Sequence, residues 1–418
     1  MTLFKTSFLS FIATAVKLLA ALVINKAIAI FIGPSGLALI GQFQNFIQLS
    51  LTFGQGGINQ GVTKYTAENN VDEKWKLKCL FSTSFKVSLI TSFIAGLVII
   101  VSRNFLSVKF LQSEEYAYIF ILFGLTIIFF VLNQLLLSIL NGLKEIKLYV
   151  SVNIIQSLFS LVFTTVMIYF YQLDGILIAL VTNQSFVFLF LIYKLRNHAV
   201  IKIQAFSDAL DKPQSLRLFK FSLMALVSAV CVPISHLVIR DYLGAQLGWE
   251  AAGHWQAMWY ISSMYLMVVT TTLSIYFLPK FSELIDKQKI KNELVNGYKL
   301  LIPAVMLMAL IIYLIKDYII VILFSNEFVP MKELFFWQLC GDVIKLCSWL
   351  LSYLMLAKEM LKKYVVTEIV FSVSFVTLAL HCVGEYGLEG MSIAYFINYL
   401  IYFIVMAIII VRFLKVRD

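Results

Sequence analysis

The sequence predicts an all-α polytopic membrane protein, whose twelve transmembrane helices form two pseudo-symmetric six-helix bundles around a central cavity. Three observations lead to this prediction: an apolar composition, twelve long apolar runs and an internal repeat. Of the 418 residues, 61% are hydrophobic and only 13% are charged, and the mean hydropathy is +0.90. A soluble protein, in which about a quarter of the residues are charged, could not cover so much apolar surface.

Charge, cysteines and motif content exclude several function classes. The net charge of +10 could indicate nucleic-acid binding, but the basic residues lie in short loops between apolar runs, as in membrane proteins. The five cysteines are scattered, without a CxxC pair or metal-ligand spacing. Motifs of hydrolases, metalloproteases and nucleotide-binding proteins are absent. We therefore predict a protein that is not an enzyme, with no catalytic residue, no metal site and no nucleic-acid partner.

Each apolar run is long enough for one helix across the hydrocarbon core, which takes about 20 residues. The runs are too long and too continuous for the strands of a membrane barrel. The first run lacks the features of a removable signal, so we predict a retained helix. The twelve predicted spans are 9–32, 37–60, 79–101, 117–140, 149–171, 175–193, 217–242, 253–277, 299–322, 334–357, 364–384 and 389–411.

The basic residues also predict the orientation of the chain. With the N-terminus in the cytoplasm, cytoplasmic segments contain 24 of the 33 Lys and Arg residues, and the external loops contain three. Cytoplasmic loops of membrane proteins carry such an excess. We therefore predict that both termini are cytoplasmic.

The two halves of the chain resemble each other at an offset of about 215 residues. The pair Asp-Gly at 174–175 corresponds to Glu-Gly at 389–390, for example. Because each half holds six spans, both halves enter the membrane in the same orientation, as in transporters built from parallel repeats. The predicted domains are an N-terminal bundle at 1–196, a cytoplasmic linker loop at 197–216 and a C-terminal bundle at 217–418.

The tenth span carries polar residues on one helical face, at steps of three and four: Gln338, Asp342, Lys345, Trp349 and Ser352. A charge at the bilayer centre costs about 2.5–3.5 kcal/mol on insertion scales, so it needs a partner, water or a function. Asp342 and Lys345 lie one turn apart and can pair. The face is either a buried structural ion pair or the wall of a water-filled lumen.

Spans 1 and 7 add positive charge at corresponding positions. The face of span 1 that carries Lys17 corresponds, at the repeat offset, to the face of span 7 that carries His236 and Arg240. A lumen between the halves would collect charge from both. Lys26 either joins this lumen or extends to the membrane interface. Pro233 predicts a kink in span 7 that could act as a gating bend.

Span 2 carries a neutral face of amides and a hydroxyl: Asn45, Gln48, Thr52, Gln55 and Asn59. Asn153, Gln156 and Ser160 form a shorter face of this kind on span 5. Amides offer both donors and acceptors and suit sugar hydroxyls. They can equally join helices to each other, so both interpretations stay open.

Several stretches are similar to a known family: GPSGLALIGQF at 33–43, GINQGVTKY at 57–65, KFSLMAL at 220–226, LPKFSEL at 278–284 and above all FWQLCGDVIK at 336–345. On these stretches the chain resembles the Wzx-type lipid-linked oligosaccharide flippases of the MOP (multidrug/oligosaccharidyl-lipid/polysaccharide) exporter superfamily. Among these it resembles the enterobacterial common antigen and O-antigen flippases. The resemblance covers nearly the whole chain and implies a MATE-like fold.

The resemblance also implies a substrate. It would be an undecaprenyl-pyrophosphate-linked oligosaccharide, moved by alternating access from the cytoplasmic to the periplasmic leaflet of the bacterial inner membrane. No cofactor is implied apart from a coupling ion, a proton or sodium. The expected partners are the phospholipid bilayer and the polymerase and chain-length regulator of the same pathway.

With such a substrate, the polar faces take predicted roles. Basic side chains suit phosphate oxygens, so the pyrophosphate would meet Lys17, Lys26, Arg240 and Lys345. Asp342 is the candidate carboxylate for ion coupling, with His236 and Pro233 in coupling or gating. The predicted glycan contacts are Asn45, Gln48, Thr52, Gln55, Asn59, Gln338 and Trp349.

Three other functions compete with this one. A cation-coupled multidrug or small-solute antiporter on the same fold would favour acidic and aromatic groups in its cavity. A membrane polysaccharide polymerase or glycosyltransferase would need a large external loop or an acidic catalytic cluster, and neither is visible in the sequence. A scaffold without transport activity is the third.

Overall fold

The protein is built from α-helices. A computed structural model describes residues 3–68, 74–195, 212–358 and 360–415, and these ranges contain no β-strand. The helices are α1 (Leu3–Phe31), α2 (Gly33–Gly54), α3 (Asn59–Glu68), α4 (Lys74–Val101), α5 (Arg103–Leu111), α6 (Ala117–Gly142), α7 (Ile146–Leu195), α8 (Lys212–Leu247), α9 (Trp249–Thr272), α10 (Leu278–Glu283), α11 (Lys287–Leu314), α12 (Lys316–Leu323), α13 (Phe335–Ala357), α14 (Leu361–Tyr386) and α15 (Glu389–Lys415).

The helices confirm an all-α, multi-pass membrane protein. Within the described residues, eight helical segments are long and apolar enough to cross a bilayer. One of them, α7, is two helices joined at Gln172, whose backbone is not helical. With α7 counted twice and with α2, α8 and α9 added, the long helices agree with the twelve predicted spans.

Both halves follow the same order of elements, which confirms the pseudo-symmetry. Two long helices are followed by a short helix, a long helix and a second short helix. A 3₁₀ segment comes next, at Glu114–Tyr116 in the first half and at Asn326–Leu334 in the second. The last part of each half is one long helix and an antiparallel pair, formed by the two parts of α7 and by α14 with α15.

The contacts divide the chain into two compact units. The N-terminal unit comprises Met1–Ile32 and Leu39–Pro233, and the C-terminal unit comprises Gly33–Ala38 and Ile234–Asp418. Most of the predicted linker at 197–216 lies outside the described residues, and α8 begins at Lys212. The predicted domain boundaries therefore stay a prediction.

Many large apolar side chains are exposed on the long helices. On α4 these are Ile90, Phe93, Ile94, Leu97, Val98 and Val101. A soluble monomer rarely exposes a continuous apolar surface of this kind. In a bilayer the same side chains lie in lipid, so the exposed apolar surface agrees with the hydropathy.

The second predicted span is not one helix. α2 ends at Gly54, Gly56 and Gly57 adopt positive φ angles of 58° and 65°, and α3 begins at Asn59. Only glycine adopts this left-handed conformation at little cost, so two adjacent glycines break the helix. The prediction of a continuous helix over 37–60, with one polar face from Asn45 to Asn59, is therefore wrong.

The repeat is also visible in the tight turn between the last two helical segments of each half. Gln172 has a φ of 47°, and Gly387, at the repeat offset, has a φ of 61°. Three residues later in each half, a Cβ atom on Gly175 would overlap the backbone oxygen of Met167. One on Gly390 would overlap that of Cys382. Both halves need glycine here so that the two helices can approach.

We predict that Gly175→Ala and Gly390→Ala both lower the unfolding temperature in detergent. Each added methyl group must push two packed backbones apart, and such overpacking costs about 1–3 kcal/mol. Gly384→Ala is the matched control, because the nearest atom to its new methyl group is Tyr242 Oη at 4.0 Å. It should leave the unfolding temperature unchanged or raise it, since alanine favours helices. Wild-type unfolding temperatures for the first two variants would contradict this packing.

Candidate functional site

A buried carboxylate lies at the centre of the C-terminal unit. Asp342 of α13 is fully buried, and its two oxygens accept three hydrogen bonds. Oδ2 accepts from Ser262 Oγ at 2.7 Å and from Tyr265 Oη at 2.6 Å, both on α9. Oδ1 accepts from Tyr395 Oη of α15 at 2.7 Å. Three hydroxyl groups on two neighbouring helices thus solvate the carboxylate where water is excluded.

A small residue on α13 allows one of these contacts. A Cβ atom on Gly341 would lie 2.5 Å from Cδ1 of Tyr395, so any larger residue would displace this ring. With glycine at this position, α15 packs closely against α13 and the Tyr395 hydroxyl reaches Asp342. Gln338, one turn earlier, donates to Ser262 Oγ at 3.3 Å and joins the same network.

Lys345 is enclosed by aromatic rings. Its exposed fraction is 6%, and its Nζ lies 4.6 Å from the ring centre of Trp259 and 4.9 Å from that of Trp349. The ring centres of Tyr395 and Tyr399 lie at 5.2 and 5.0 Å. The faces of such rings attract a cation electrostatically. Asp342 is bound by hydroxyl groups and Lys345 by rings, and these two side chains interact through their charges without a direct ion pair.

Arg240 and His236 of α8 extend this arrangement. Arg240 is fully buried, donates to Gln256 Oε1 and lies 5.6 Å from the ring centre of Trp255. The His236 ring lies 5.2 Å from the Trp255 ring and 4.2 Å from the Trp259 ring. Trp259 therefore contacts both His236 and Lys345. We call the whole set the C-terminal polar cluster: His236, Arg240, Trp255, Gln256, Trp259, Ser262, Tyr265, Gln338, Asp342, Lys345, Trp349, Tyr395 and Tyr399.

The structure thus brings six predicted residues close to one another: His236, Arg240, Gln338, Asp342, Lys345 and Trp349. Helix α8 continues through Pro233 as one helix. The sequence prediction missed the residues that hold them, on α9 and α15. A signal was present: Trp255, Trp259 and Ser262 recur at steps of four and three, and Tyr395 and Tyr399 at a step of four. In apolar spans that are rich in aromatic residues throughout, this spacing is a weak signal.

The N-terminal unit has a different kind of site, a polar cavity of about 480 Å³. We call it the amide cavity, because six of its lining residues are Asn or Gln. Lys17 lies at this cavity, as do Asn153, Gln156 and Ser160 of the predicted polar face on span 5. The other lining residues are Ala20, Ala21, Ile24, Thr63, Gln134, Leu137, Ser138, Asn141, Tyr149, Ser157, Asn183 and Gln184.

The predicted glycan face of span 2 does not take part in this cavity. Gln48 is exposed, and its backbone oxygen accepts a hydrogen bond from Thr52. None of the predicted residues Asn45, Gln48, Thr52, Gln55 and Asn59 is among the lining residues. Lys26 is half-buried on α1 and is likewise not among them. The roles predicted for these six residues stay predictions.

The two units differ in polar content at corresponding positions. At the repeat offset, Asp342, Ser262 and Tyr395 correspond to Ile127, Ile47 and Leu180, which belong to an apolar cluster of the N-terminal unit. Conversely, Gln134 and Gln184 of the amide cavity correspond to Trp349 and Tyr399, two rings around Lys345. One scaffold therefore carries neutral amides in one unit and buried charges in the other.

A family model and two relatives match this chain over most of its length. A family described as "Polysaccharide biosynthesis protein" matches residues 3–285. The chain is 30% identical over 403 residues to a protein named "Lipid III flippase" from Escherichia coli strain K12, covering 96% of this chain and 97% of that protein. A Shigella flexneri protein of the same name matches equally well.

Solved structures confirm the fold. An inward-facing multidrug resistance transporter of the MATE family and MOP superfamily matches with a TM-score of 0.80 at 15% identity, covering 96% of both chains. A MOP superfamily transporter from Pyrococcus furiosus, described as having a binding pocket of reverse polarity, matches with a TM-score of 0.70 at 15% identity. That match covers 97% of this chain and 95% of the other. At such identity the likeness shows the fold alone.

We predict that Asp342→Leu destabilises the protein much more than Asp342→Asn. Leucine leaves three buried hydroxyl groups without their acceptor, and each unpaired group costs about 1–3 kcal/mol. Asparagine keeps one acceptor oxygen and nearly the same volume. Unfolding temperatures in detergent measure the difference. Equal unfolding temperatures for the two variants would contradict the role of the hydroxyl groups.

Proposed function

Because this chain belongs to the polysaccharide biosynthesis protein family, we propose that it is a lipid-linked oligosaccharide flippase. It moves an undecaprenyl-pyrophosphate-linked oligosaccharide, an O-antigen or enterobacterial common antigen repeat unit, from the cytoplasmic to the periplasmic leaflet of the inner membrane. The two flippase relatives support this proposal, since they match over nearly their full length. The chain is accordingly a transporter and not an enzyme.

The observation that carries the proposal is the amide cavity. A glycan cannot cross hydrocarbon unaided, because its hydroxyl groups would lose their hydrogen bonds to water. Amide and hydroxyl side chains replace those bonds with both donors and acceptors. In the part of the chain that the structure describes, the lining residues include Lys17 but no Asp or Glu. A multidrug antiporter that carries cations would favour carboxylates at such a place, so the lining supports an anionic glycolipid.

Basic side chains serve the pyrophosphate in this proposal. Lys17 and Lys26 in the N-terminal unit and Arg240 and Lys345 in the C-terminal unit are the candidates. The ammonium group of Lys345 is held by rings and not by a carboxylate. Asp342 and Glu368 lie close enough to act on this charge electrostatically, so a phosphate would compete with them for Lys345.

Asp342 is the proposed coupling group for a proton or sodium gradient, with His236 and Pro233 in coupling or gating. Hydroxyl oxygens of Ser262, Tyr265 and Tyr395 surround its carboxylate, so an ion bound there would meet several oxygens. Both termini lie in the cytoplasm in this proposal, in line with the excess of basic residues in cytoplasmic loops. The polymerase and the chain-length regulator of the pathway are the proposed protein partners.

Deletion of the gene tests the proposed function. The surface polysaccharide that depends on this protein should disappear, and its undecaprenyl-pyrophosphate-linked unit should accumulate at the cytoplasmic face. Re-expression of the wild-type gene should restore both. Normal surface polysaccharide together with increased drug sensitivity would favour the antiporter and contradict the flippase.

We predict that Lys345→Ala and Asp342→Asn abolish display of the glycan while the protein level in the membrane is maintained. Both variants replace a buried charged side chain with a neutral one. Lys332→Ala is the control, since Lys332 forms an exposed ion pair with Asp317 at 2.7 Å, and such pairs contribute little. Immunoblots of the glycan and of the protein give the readout. Full complementation by both variants would contradict the proposed role of these charges.

We also predict that binding of the lipid-linked oligosaccharide to the purified protein weakens as salt concentration rises. Salt screens attraction between accessible charges, with a Debye length of about 10 Å at 0.1 M and about 3 Å at 1 M. Titrations in detergent across this range measure the dissociation constant. An affinity that does not depend on salt would contradict the role of the basic residues.

A further inference from the structure

We propose that the amide cavity of the N-terminal unit is the sugar-binding subsite of this transporter, and that Gln134, Gln156, Asn183 and Gln184 contact uncharged sugar groups. This inference rests on the proposed function and assigns one part of the substrate to one unit. The sugars are recognised through their hydroxyl and acetamido groups, while the pyrophosphate is left to basic side chains.

The size and composition of the cavity fit such a ligand. Its volume of about 480 Å³ lies within the range of small-molecule sites, about 300–1,000 Å³. Amide, hydroxyl and phenol groups from α3, α6 and both parts of α7 line it, and α1 adds Lys17 and three apolar side chains. Sugar hydroxyl groups both donate and accept hydrogen bonds. An amide side chain is uncharged and can accept from such a hydroxyl group or donate to it.

The side chains at the cavity are held in place and still offer polar atoms. Gln134 Nε2 donates to Gln184 Oε1 at 3.0 Å, and Asn183 Nδ2 donates to Ser160 Oγ. These contacts orient the amides. By contrast, Gln156 Oε1 and Asn183 Oδ1 are buried and accept no hydrogen bond. A buried polar oxygen without a partner costs free energy, so a ligand that donates to it is stabilised.

The repeat shows that this cavity is not a consequence of the scaffold. Gln156 and Ser160 correspond to Phe371 and Phe375 at the repeat offset. Phe371 is packed against an apolar cluster of the C-terminal unit, and Phe375 is buried. Gln134 and Gln184 likewise correspond to aromatic residues of the C-terminal unit. Four positions that line a cavity in the N-terminal unit therefore carry aromatic side chains in the C-terminal unit. The corresponding helices of the C-terminal unit pack through aromatic side chains at these positions. Helix packing therefore does not require the polar side chains of the amide cavity.

The charge of the cavity selects among ligands. Among the described residues that line the cavity, Lys17 is the only charged one, and it is itself exposed. A cation entering the cavity would therefore meet one positive charge and no negative one. Neutral sugars, and acidic sugars placed near Lys17, are the ligands that this lining accepts.

Binding measurements with two probes test the inference. One probe is the lipid-linked oligosaccharide extracted from a strain that lacks the gene, and the other is undecaprenyl pyrophosphate without sugar. Gln156→Met, which keeps the volume and removes the amide, should weaken binding of the first probe about fivefold. Gln156→Met with Asn183→Leu should weaken it about thirtyfold. Neither variant should change the affinity for undecaprenyl pyrophosphate.

Asn398→Leu is the matched control. Asn398 corresponds to Asn183 at the repeat offset, is also buried and also has an unpartnered Oδ1, but it belongs to the C-terminal unit and is not among the residues that line the cavity. Its substitution should leave the ratio of the two affinities unchanged. Binding of undecaprenyl pyrophosphate also reports folding, because a misfolded variant would bind neither probe. If the double variant misfolds, the result with the single Gln156→Met variant tests the inference.

Two results would overturn the inference. In one, Gln156→Met binds both probes as the wild type does. In the other, it loses affinity for both probes equally while its unfolding temperature is unchanged. Failure of the proposed function looks different: no lipid-linked oligosaccharide accumulates in the deletion strain, or the wild-type protein binds neither probe.

Discussion

The cost of burying polar groups in a membrane bundle governs the organisation of the C-terminal unit. Asp342 is stable there because Ser262, Tyr265 and Tyr395 donate to its oxygens. These contacts determine which helices must be neighbours and require a glycine where α15 crosses α13. Nearby, four aromatic rings stabilise the ammonium group of Lys345 through cation–π contacts. The residues of the cluster that bear no charge are thus as necessary as the charged ones.

The same constraint explains how one duplicated scaffold comes to carry two different sites. Both halves keep the turns and glycines on which helix packing depends, such as Gly175 and Gly390. They differ at the positions that face inward, where Ile127 in one half corresponds to Asp342 in the other. A carboxylate at one such position has to be accompanied by hydroxyl groups on neighbouring helices.

The sequence predicted the membrane class, the long helices and the repeat, because hydropathy over twenty residues and a constant offset are strong signals. It also predicted that Asp342, Lys345, His236 and Arg240 matter, since charges are rare in spans. It failed where short-range backbone geometry decides, as at Gly56 and Gly57, which end the second span early. The hydroxyl groups that bind Asp342 could not be predicted, because Ser262, Tyr265 and Tyr395 lie far from it in sequence.

The account can be tested most directly by reconstitution. Purified protein is placed in vesicles with a fluorescently labelled lipid-linked oligosaccharide, and a proton or sodium gradient is imposed. A glycosidase that cannot cross the membrane reports which labelled molecules have reached the outer leaflet. We expect digestion of nearly all the label with wild-type protein and of about half with Lys345→Ala or without protein. Two results together would contradict the proposed flippase. The glycosidase would digest only half of the label with wild-type protein, and the same vesicles would exchange a cationic drug for the coupling ion.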